Sequence, residues 1–454
     1  MFRKIALCLI FVSHFGQAQD FNNKNYAFTN VNVIPMDQEV VLEHQTVVVE
    51  RGRIKEVGNT GSVKIPDGYI EIDGNGKFLV PGIAEMHAHI PSFSRGMEYI
   101  EETLFLYLSN GITTIRGMLG EAYHLELRED VAEGKILSPR IYTSSPSLNG
   151  STIKTKEEAR KKVIQYQKDG YDFLKIHPGI KLSVFNEMVS TANEVGIPFS
   201  GHVPVDVGVR RAIEAKYGSI DHVDGYLEGL VPPSYNVDID ANGFFGFNFT
   251  DMVDESLLPE LVSKTKSNGV WIVTTQSLME RWAGDKSAQD LADENEMQYI
   301  SKRTLESWIN RVSDFQSESD YDKEKAKRFN RIRRSIINEL HDGGVGILLG
   351  SDAPQIFNVP GFSIQHELRY LVACGLTPYE VLQTGTTNPA KFFGQEKEYG
   401  MVKAGQIADL VLLNSNPLEN IEAFGENEGV MVNGQWLSKN MIQERLTMIS
   451  QKYK

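Results

Sequence analysis

Two histidines separated by a single residue, His87 and His89, end an apolar stretch that reads FLVPGIAEMHAHI. Alternate residues of a β-strand face the same side, so a strand here would point both imidazoles in one direction. Neutral imidazoles are favoured ligands of zinc and of other borderline divalent metals. An isolated pair of histidines with this spacing is also common in ordinary loops. Its interpretation as half of a metal site therefore depends on what the rest of the chain supplies.

The elements that would position this pair alternate between strands and helices. The apolar segments predicted as strands are 78–84, 112–116, 140–144, 173–176, 198–201, 219–221, 270–274 and 346–349. Helical periodicity falls between them, for example over 97–109, 156–168, 183–194 and 207–215. This alternation predicts an α/β fold, a (β/α)8 TIM-like barrel, with insertions at 226–268 and 287–341. In such a barrel the chemistry lies at the carboxyl ends of the strands.

Four further ionisable residues stand at the ends of predicted strands. Lys175 lies at the end of the fourth strand, His202 follows the fifth, His222 follows the sixth, and Asp352 follows the eighth. Packing of apolar strands gives no reason for one ionisable side chain at each end. Together with the histidine pair, these residues predict a polar cluster at one rim of the barrel. Such a cluster offers metal ligands and a carboxylate that can transfer protons.

Short predicted strands with tight turns occupy both ends of the chain outside the barrel, over 28–72 and 405–437. Neither group has enough strands to bury both of its faces. We therefore predict a small discontinuous β-sandwich domain built from both termini. The predicted division is a signal peptide at 1–18, the first part of the sandwich at 19–78, the barrel at 79–394, and the second part with a C-terminal tail at 395–454.

The charge and the N-terminus limit the partners and the compartment. A formal net charge of -14 and a pI near 5.3 argue against nucleic acid and anionic membranes as partners. Arg3 and Lys4 precede a mostly apolar segment and small residues up to Ala18, the pattern of a cleaved secretory signal. No later segment is apolar over a length that spans a bilayer. We predict a secreted or periplasmic protein with a small-molecule substrate.

The six rim residues and the split β domain resemble the amidohydrolase superfamily of metal-dependent hydrolases. The resemblance extends to the C-terminal segment AGQIADLVLLNSNPLENI. It implies two divalent metal ions, with His87 and His89 on the first and His202 and His222 on the second. Zinc best suits this set of ligands, while manganese and iron stay open as alternatives.

The same resemblance assigns roles to Lys175 and Asp352. Lys175, as an Nζ-carboxylated lysine, would bridge the two ions. Its burial would favour the neutral amine that adds carbon dioxide. Asp352 would bind the first ion and act as general base and acid. A hydroxide bridging the metals would attack the carbonyl carbon.

The segment 350–394 resembles the imidazolonepropionase-related branch, which includes metal-dependent Xaa-Pro dipeptidases and carboxypeptidase-like enzymes. This implies cleavage of a carbon–nitrogen amide bond in dipeptides or N-acyl amino acids. Three residues beside the predicted ligands are candidates for substrate contacts, although packing or ion pairing would explain them equally well. They are Tyr226, His177 and Arg116.

Three alternatives stay open. A centre with one metal ion would suit a cyclic amide such as an imidazolone or hydantoin. The same hydroxide would also hydrolyse a lactone or ester. A periplasmic binding protein is the non-catalytic alternative, and a carboxylate placed as a base, Asp352, counts against it. The resemblance also suggests a homo-oligomer, although no stretch of the sequence predicts its interface.

Overall fold

The computed structural model describes residues 24–318 and 321–453. The predicted signal peptide at 1–18 and its cleavage point lie outside these residues. Among the described helices, none has both the length and the apolar character needed to cross a membrane.

The strands of the described chain are β1 (Tyr26–Val33), β2 (Leu42–Glu50), β3 (Arg53–Asn59), β4 (Ile70–Asp73), β5 (Phe78–Pro81), β6 (Ile83–Ala88), β7 (Ile112–Gly117), β8 (Arg140–Thr143), β9 (Leu174–Ile176), β10 (Phe199–Gly201), β11 (Ser219–Asp221), β12 (Trp271–Val273), β13 (Ile347–Leu348), β14 (Leu410–Leu413), β15 (Asn427–Val432) and β16 (Gln435–Ser438).

The α-helices are α1 (Met97–Ser109), α2 (Ala122–Ala132), α3 (Lys156–Asp169), α4 (Leu182–Val195), α5 (Gly208–Glu214), α6 (Tyr226–Gly229), α7 (Leu258–Ser267), α8 (Gln276–Ala283), α9 (Ala288–Ala292), α10 (Lys302–Ser317), α11 (Lys323–Asp342), α12 (Phe362–Ala373), α13 (Pro378–Gly385), α14 (Thr387–Phe392) and α15 (Lys439–Lys452).

Helix α3 shows how local sequence sets these boundaries. The Thr155 hydroxyl accepts from the Glu158 N–H at 3.2 Å, and the Glu158 carboxylate accepts from the Thr155 N–H at 3.2 Å. This capping box satisfies two donors that the first turn leaves free. The helix ends at Gly170, whose φ of 87° is left-handed and favours glycine. Ala159 and Val163 form its buried face.

The central part of the chain contains two parallel sheets. Strands β6, β7 and β8 form the first, and β9 to β13 form the second, each in chain order. Isolated parallel bridges connect Ser144 with Phe173, and Ala88 with Ala353, so that the sheets meet at both junctions. The predicted alternation of strands and helices is confirmed, and the arrangement is compatible with the predicted (β/α)8 barrel.

The predicted strand 78–84 is wrong in one respect, because it is two strands. Strand β5 lies in the terminal sheet, while β6 begins the central sheets and runs through His87. Gly82 lies between them, and its N–H donates to the Asp409 carbonyl at 2.8 Å. A Cβ at Gly82 would lie 2.3 Å from Thr113 Oγ1. The chain therefore changes sheets at a position where a side chain would collide with β7.

Strands from both ends of the chain share one mixed sheet. Its order is β16-β15-β14-β5-β1-β2-β3, with β4 paired to β1. Strand β14 pairs antiparallel with β5, so the C-terminal strands join the N-terminal ones directly. The predicted union of the two termini is thus present. The sandwich and the boundaries at 19–78 and 395–454 stay predictions.

Short helical segments fill the predicted insertion between β11 and β12. Besides α6 and α7 they are 3-10 turns at Pro233–Tyr235, Ile239–Ala241, Phe244–Met252 and Glu255–Leu257. The longest of these has a kink where Phe245 (φ 48°) and Gly246 (φ 80°) adopt left-handed conformations. The kink brings the half-buried Phe245 ring to the carboxyl ends of β10 and β11.

Candidate metal centre

Three donor side chains converge where β6 ends and where the loop after β13 begins. The donor atoms of His87, His89 and Asp352 all lie within 4.8 Å of one another. His89 Nε2 is 2.6 Å from Asp352 Oδ1, and His87 Nε2 is 3.5 Å from the same oxygen. Two imidazoles and one carboxylate form a ligand set that suits zinc and related ions. These residues therefore form a candidate metal site.

Backbone hydrogen bonds hold the two segments of this site together. The Asp352 N–H donates to the His87 carbonyl at 3.0 Å, and the His89 N–H donates to the Ala353 carbonyl at 2.8 Å. Asp352 itself has a φ of 65°, which aspartate tolerates better than most residues. The carboxylate is therefore directed at the imidazoles by the local backbone.

A buried carboxyl that sequence reasoning missed, Glu85, supports the same junction. Its Oε1 accepts from the His87 N–H at 3.1 Å and from the Ser351 N–H at 2.8 Å, while Oε2 accepts from the Ser351 hydroxyl at 2.5 Å. Burial raises the pKa of Glu85 to about 8. Its position two residues before His87, on an otherwise apolar strand, was the available signal.

Lys175 lies in the interior beside this cluster. Its Nζ is 3.4 Å from His87 Nε2 and 3.9 Å from Asp221 Oδ2, and its side chain has no exposed surface. Burial lowers the pKa of the Lys175 amine to about 8, against the attraction of Asp221 and Asp352. The neutral amine, which is the form that reacts with carbon dioxide, is therefore accessible near neutral pH.

His202 and His222 extend the cluster. The His222 ring centroid is 4.4 Å from that of His87 and 4.5 Å from that of His202. Gly201, which precedes His202, has a φ of 131°, and a Cβ there would lie 2.3 Å from the Ile176 carbonyl oxygen. A glycine is therefore required for the approach of β10 to β9. The six residues that the sequence predicted as ligands thus lie in one continuous cluster.

The chemistry of these nitrogens fits a metal ion. His222 Nε2 is buried and has no hydrogen-bond partner among the described residues. Buried polar atoms normally have a partner, so this nitrogen needs an explanation. Burial also lowers the pKa of His87 and of His222 well below the ordinary imidazole range. Neutral rings with a free lone pair are the form that binds a metal.

His177, a predicted substrate contact, lies at the edge of the cluster. Its ring centroid is 5.1 Å from that of His202. Burial lowers the pKa of His177 to about 2, and its Nδ1 has no hydrogen-bond partner in the described chain. A contact from this neutral ring to substrate stays a prediction.

The structure differs from the prediction for Arg116 and Tyr226. Arg116 is fully buried, and its guanidinium donates to the Met86 carbonyl at 2.7 Å and to Asp221 Oδ1 at 3.1 Å. The Tyr226 hydroxyl is also buried and pairs with Thr265 Oγ1 at 2.6 Å. Both polar groups are engaged inside the protein. Both side chains make hydrogen bonds within the protein, where the sequence predicted contacts to substrate.

Three further residues at the cluster were not predicted, and each contacts a histidine nitrogen. Asp221 Oδ2 is 3.0 Å from His87 Nδ1. Asp224 Oδ2 is 3.0 Å from His202 Nδ1, and Thr275 Oγ1 is 2.9 Å from His222 Nδ1. The two aspartates flank His222 in the segment SIDHVDG, which was a readable signal. Thr275 had no such signal in the sequence, because it contacts His222 only when β11 and β12 become neighbours in the fold.

Known proteins are similar to this chain over very different lengths. An ochratoxinase from Aspergillus niger is 36% identical over 89 residues, which is 19% of this chain and 18% of that protein. The imidazolonepropionase of Legionella pneumophila (strain Paris) is 23% identical over 425 residues, or 87% of this chain and 95% of that protein. The chain thus matches less than a fifth of the ochratoxinase but nearly all of the imidazolonepropionase.

The fold has solved counterparts. A crystal structure of a Xaa-Pro dipeptidase with bound methionine in the active site has a TM-score of 0.64 and 19% identity, covering 91% of this chain and 100% of that one. The profile of the amidohydrolase family matches residues 78–437, a range that contains all six clustered residues. Members of this family are typically metal-dependent, in agreement with the donor set described above. The chain therefore belongs to the amidohydrolase family.

Proposed function

We propose that this protein is a metal-dependent amidohydrolase that cleaves the amide bond of dipeptides, Xaa-Pro dipeptides among them, or of N-acyl amino acids. The observation that carries the proposal is the convergence of histidine, lysine and aspartate side chains from the ends of separate parallel strands. Such a cluster has no structural purpose in an apolar core, and a ligand set with an adjacent carboxylate is what amide hydrolysis requires. The central strands of 79–394 would form the (β/α)8 barrel that holds it.

Six side chains would hold two divalent ions, with zinc the expected metal. They are His87, His89, Lys175, His202, His222 and Asp352. When bound, the ions would activate water and polarise the scissile carbonyl. Lys175 would take part after its neutral amine adds carbon dioxide and loses one proton, which leaves an anionic carbamate. A carbamate is a far better ligand than a protonated amine.

Asp352 would move the proton of the reaction. Its Oδ1 lies next to His89 Nε2, while its Oδ2 accepts from Gln355 Nε2 at 3.0 Å. The carboxylate would take a proton from the attacking water and deliver it to the leaving nitrogen. Gln355 would hold the carboxylate in place without supplying a charge.

The surroundings of the cluster support a substrate with an apolar group. The Phe245 ring centroid is 5.8 Å from that of His202 and 5.3 Å from that of His222. The likeness in fold to a Xaa-Pro dipeptidase supports a dipeptide substrate. Apolar or aromatic acyl groups beside the scissile bond are therefore expected among the best substrates.

A second candidate is a mononuclear hydrolase of cyclic amides. The compact set formed by His87, His89 and Asp352 favours it, because their donor atoms all lie within 4.8 Å of one another. The match along nearly the full length of an imidazolonepropionase points the same way.

The test is metal content and hydrolysis for the wild type and for Lys175→Ala. Full-length protein purified without chelators should contain about two zinc-type ions per chain. In the variant the metal content should fall, together with hydrolysis of Xaa-Pro dipeptides and N-acyl amino acids, by more than about 100-fold. Lys181→Ala, which removes an exposed lysine, is the matched control and should change neither.

The same experiment separates the two candidates. One ion per chain in both wild type and Lys175→Ala, with turnover of an imidazolone or hydantoin, would replace the dipeptidase proposal by the mononuclear one. Protein that binds no divalent metal and hydrolyses nothing in the panel would contradict both.

A further inference from the structure

We propose that the turn from Asp221 to Asp224, together with Thr275, orients three imidazoles so that each presents Nε2 to the centre. The inference rests on the metal-dependent function proposed above and assigns positioning roles to residues that bind no metal themselves. The imidazoles concerned are those of His87, His202 and His222.

Asp221 holds the first imidazole from within the interior. Its Oδ2 lies 3.0 Å from His87 Nδ1, an ion-pair distance at which the two atoms do not align as a hydrogen bond, and neither atom has a hydrogen-bond partner in the described chain. Its Oδ1 accepts from the Arg116 guanidinium at 3.1 Å and from the Ser219 hydroxyl at 2.7 Å. A carboxylate fixed on one oxygen and ionised by a guanidinium can only accept at the other. A proton on His87 Nδ1 would therefore face an oxygen that can only accept it.

Asp224 holds the second imidazole in the same way. Its Oδ2 accepts from the backbone N–H of Val203 at 3.0 Å and lies 3.0 Å from His202 Nδ1. The backbone bond fixes the carboxylate next to the residue that follows His202. Since a carboxylate accepts and does not donate, His202 carries its proton on Nδ1 and presents Nε2.

Thr275 holds the third imidazole from the end of β12. Its Oγ1 is 2.9 Å from His222 Nδ1, and the opposite nitrogen, Nε2, is the buried atom that has no partner among the described residues. Thr275 has φ 43° and ψ 38°, a left-handed conformation that a β-branched residue rarely adopts. Such strain persists only where the surrounding structure enforces it, and it is concentrated at functional sites.

The turn that contains His222 is strained as well. His222 and Val223 have φ values of 65° and 53°, so two consecutive residues other than glycine are left-handed. This conformation places His222 between the carboxylates of Asp221 and Asp224. Those carboxylates contact the imidazoles of His87 and His202. One short turn thereby orients imidazoles from three different strands. Hydrogen-bonded partners of this kind usually change metal affinity by about 10–100-fold when they are removed.

Matched pairs of variants test the proposal. Thr275→Val keeps the size and branching of threonine but removes the hydroxyl, whereas Thr275→Ser keeps the hydroxyl. Asp224→Ala removes the acceptor, and Asp224→Asn replaces it with an amide that can donate as well as accept. Zinc affinity, measured by competition with a chromogenic chelator, should fall about 10–100-fold in Thr275→Val, Asp224→Ala and Asp224→Asn. It should stay close to the wild-type value in Thr275→Ser.

Nitrogen-15 NMR of the metal-free, histidine-labelled protein gives a readout that a merely structural role would not move. In the wild type His87, His202 and His222 should be Nδ1–H tautomers, and Thr275→Val should give His222 a mixed population. A wild type with Nε2–H at any of the three, or disruptive variants with unchanged tautomers and unchanged zinc affinity, would overturn the proposal. A wild type that binds no zinc would refute the proposed function, while the tautomers of the metal-free protein would still decide this inference.

Discussion

Arg116 carries its charge deep in the central sheets, where its guanidinium has no exposed surface. The carboxylate of Asp221 compensates it, and in turn Arg116 helps to keep that carboxylate ionised. Burial alone would raise the pKa of Asp221, but Arg116 and Lys175 outweigh burial and lower it. Two buried charges therefore depend on each other beneath the candidate metal centre.

Replacing Arg116 should show how strongly the stability of the protein depends on the Arg116–Asp221 ion pair. Arg116→Met would leave Asp221 as an uncompensated buried charge, so we expect the free energy of unfolding to fall by about 3–5 kcal/mol. Arg116→Lys keeps the charge but loses the planar fork, and its cost should be smaller. Urea unfolding of metal-free protein measures both. A lysine variant with wild-type stability but a raised KM would instead return Arg116 to the role of a substrate contact.

At the scale of elements, α12 holds the beginning of α8 through one carboxyl. Glu367 Oε1 accepts from the Thr274 hydroxyl at 2.5 Å and from the Gln276 N–H at 3.0 Å, and Oε2 accepts from the Ser277 N–H at 2.6 Å. These bonds fix the turn that carries the strained Thr275. Burial raises the pKa of Glu367 above its ordinary value of 4.5.

The raised pKa of Glu367 predicts that the stability of the protein depends on pH. A carboxyl whose folded pKa is raised contributes stability that is complete below pH 4.5 and is lost as the pH rises through the folded pKa. Glu367→Gln cannot titrate and leaves one N–H without an acceptor, so it should be less stable by about 1–3 kcal/mol at low pH. The difference from wild type should then narrow as the pH increases. Unfolding curves of metal-free protein from pH 4.5 to 8 measure this, and a constant difference would contradict it.

At the scale of the whole molecule, Asp409 joins the terminal sheet to the central sheets. Its Oδ2 is 2.9 Å from Nη2 of Arg140, the first residue of β8, and its Oδ1 accepts from the Asn433 N–H at 2.8 Å. Its carbonyl accepts from Gly82 at the point where the chain changes sheets. Asp409 thus contacts the terminal sheet, the central sheets and the connection between them.

Removing the Asp409 side chain should lower the free energy of unfolding more than removing an exposed ion pair does. Asp409→Ala leaves a mostly buried guanidinium and a backbone N–H unpaired, so we expect a loss of about 1–3 kcal/mol. Glu398→Ala breaks the pair with Arg53, whose side chains are 49% and 43% exposed, and should cost about 0–1 kcal/mol. Thermal and urea unfolding compare the two variants. Equal costs would show that Asp409 has no special place in the assembly of the layers.

The order of the elements and the residues that meet at the centre could be predicted from local sequence patterns. Apolar strands, helical periodicity and single ionisable residues at strand ends are local patterns, and His87, Lys175 and Asp352 could each be recognised from a few neighbours. Strands that run parallel bring their carboxyl ends together, so the cluster followed from the alternation alone.

The contacts that hold those residues in place depend on three-dimensional packing and could not be predicted in this way. The break at Gly82, the inward ion pair of Arg116, and the contacts of Thr275 and Glu85 depend on which strands become neighbours. None of these contacts has a signature within a short window of sequence, because each joins segments that folding brings together. The chemistry was therefore readable residue by residue, whereas the orientation of the imidazoles emerged only from packing across several strands.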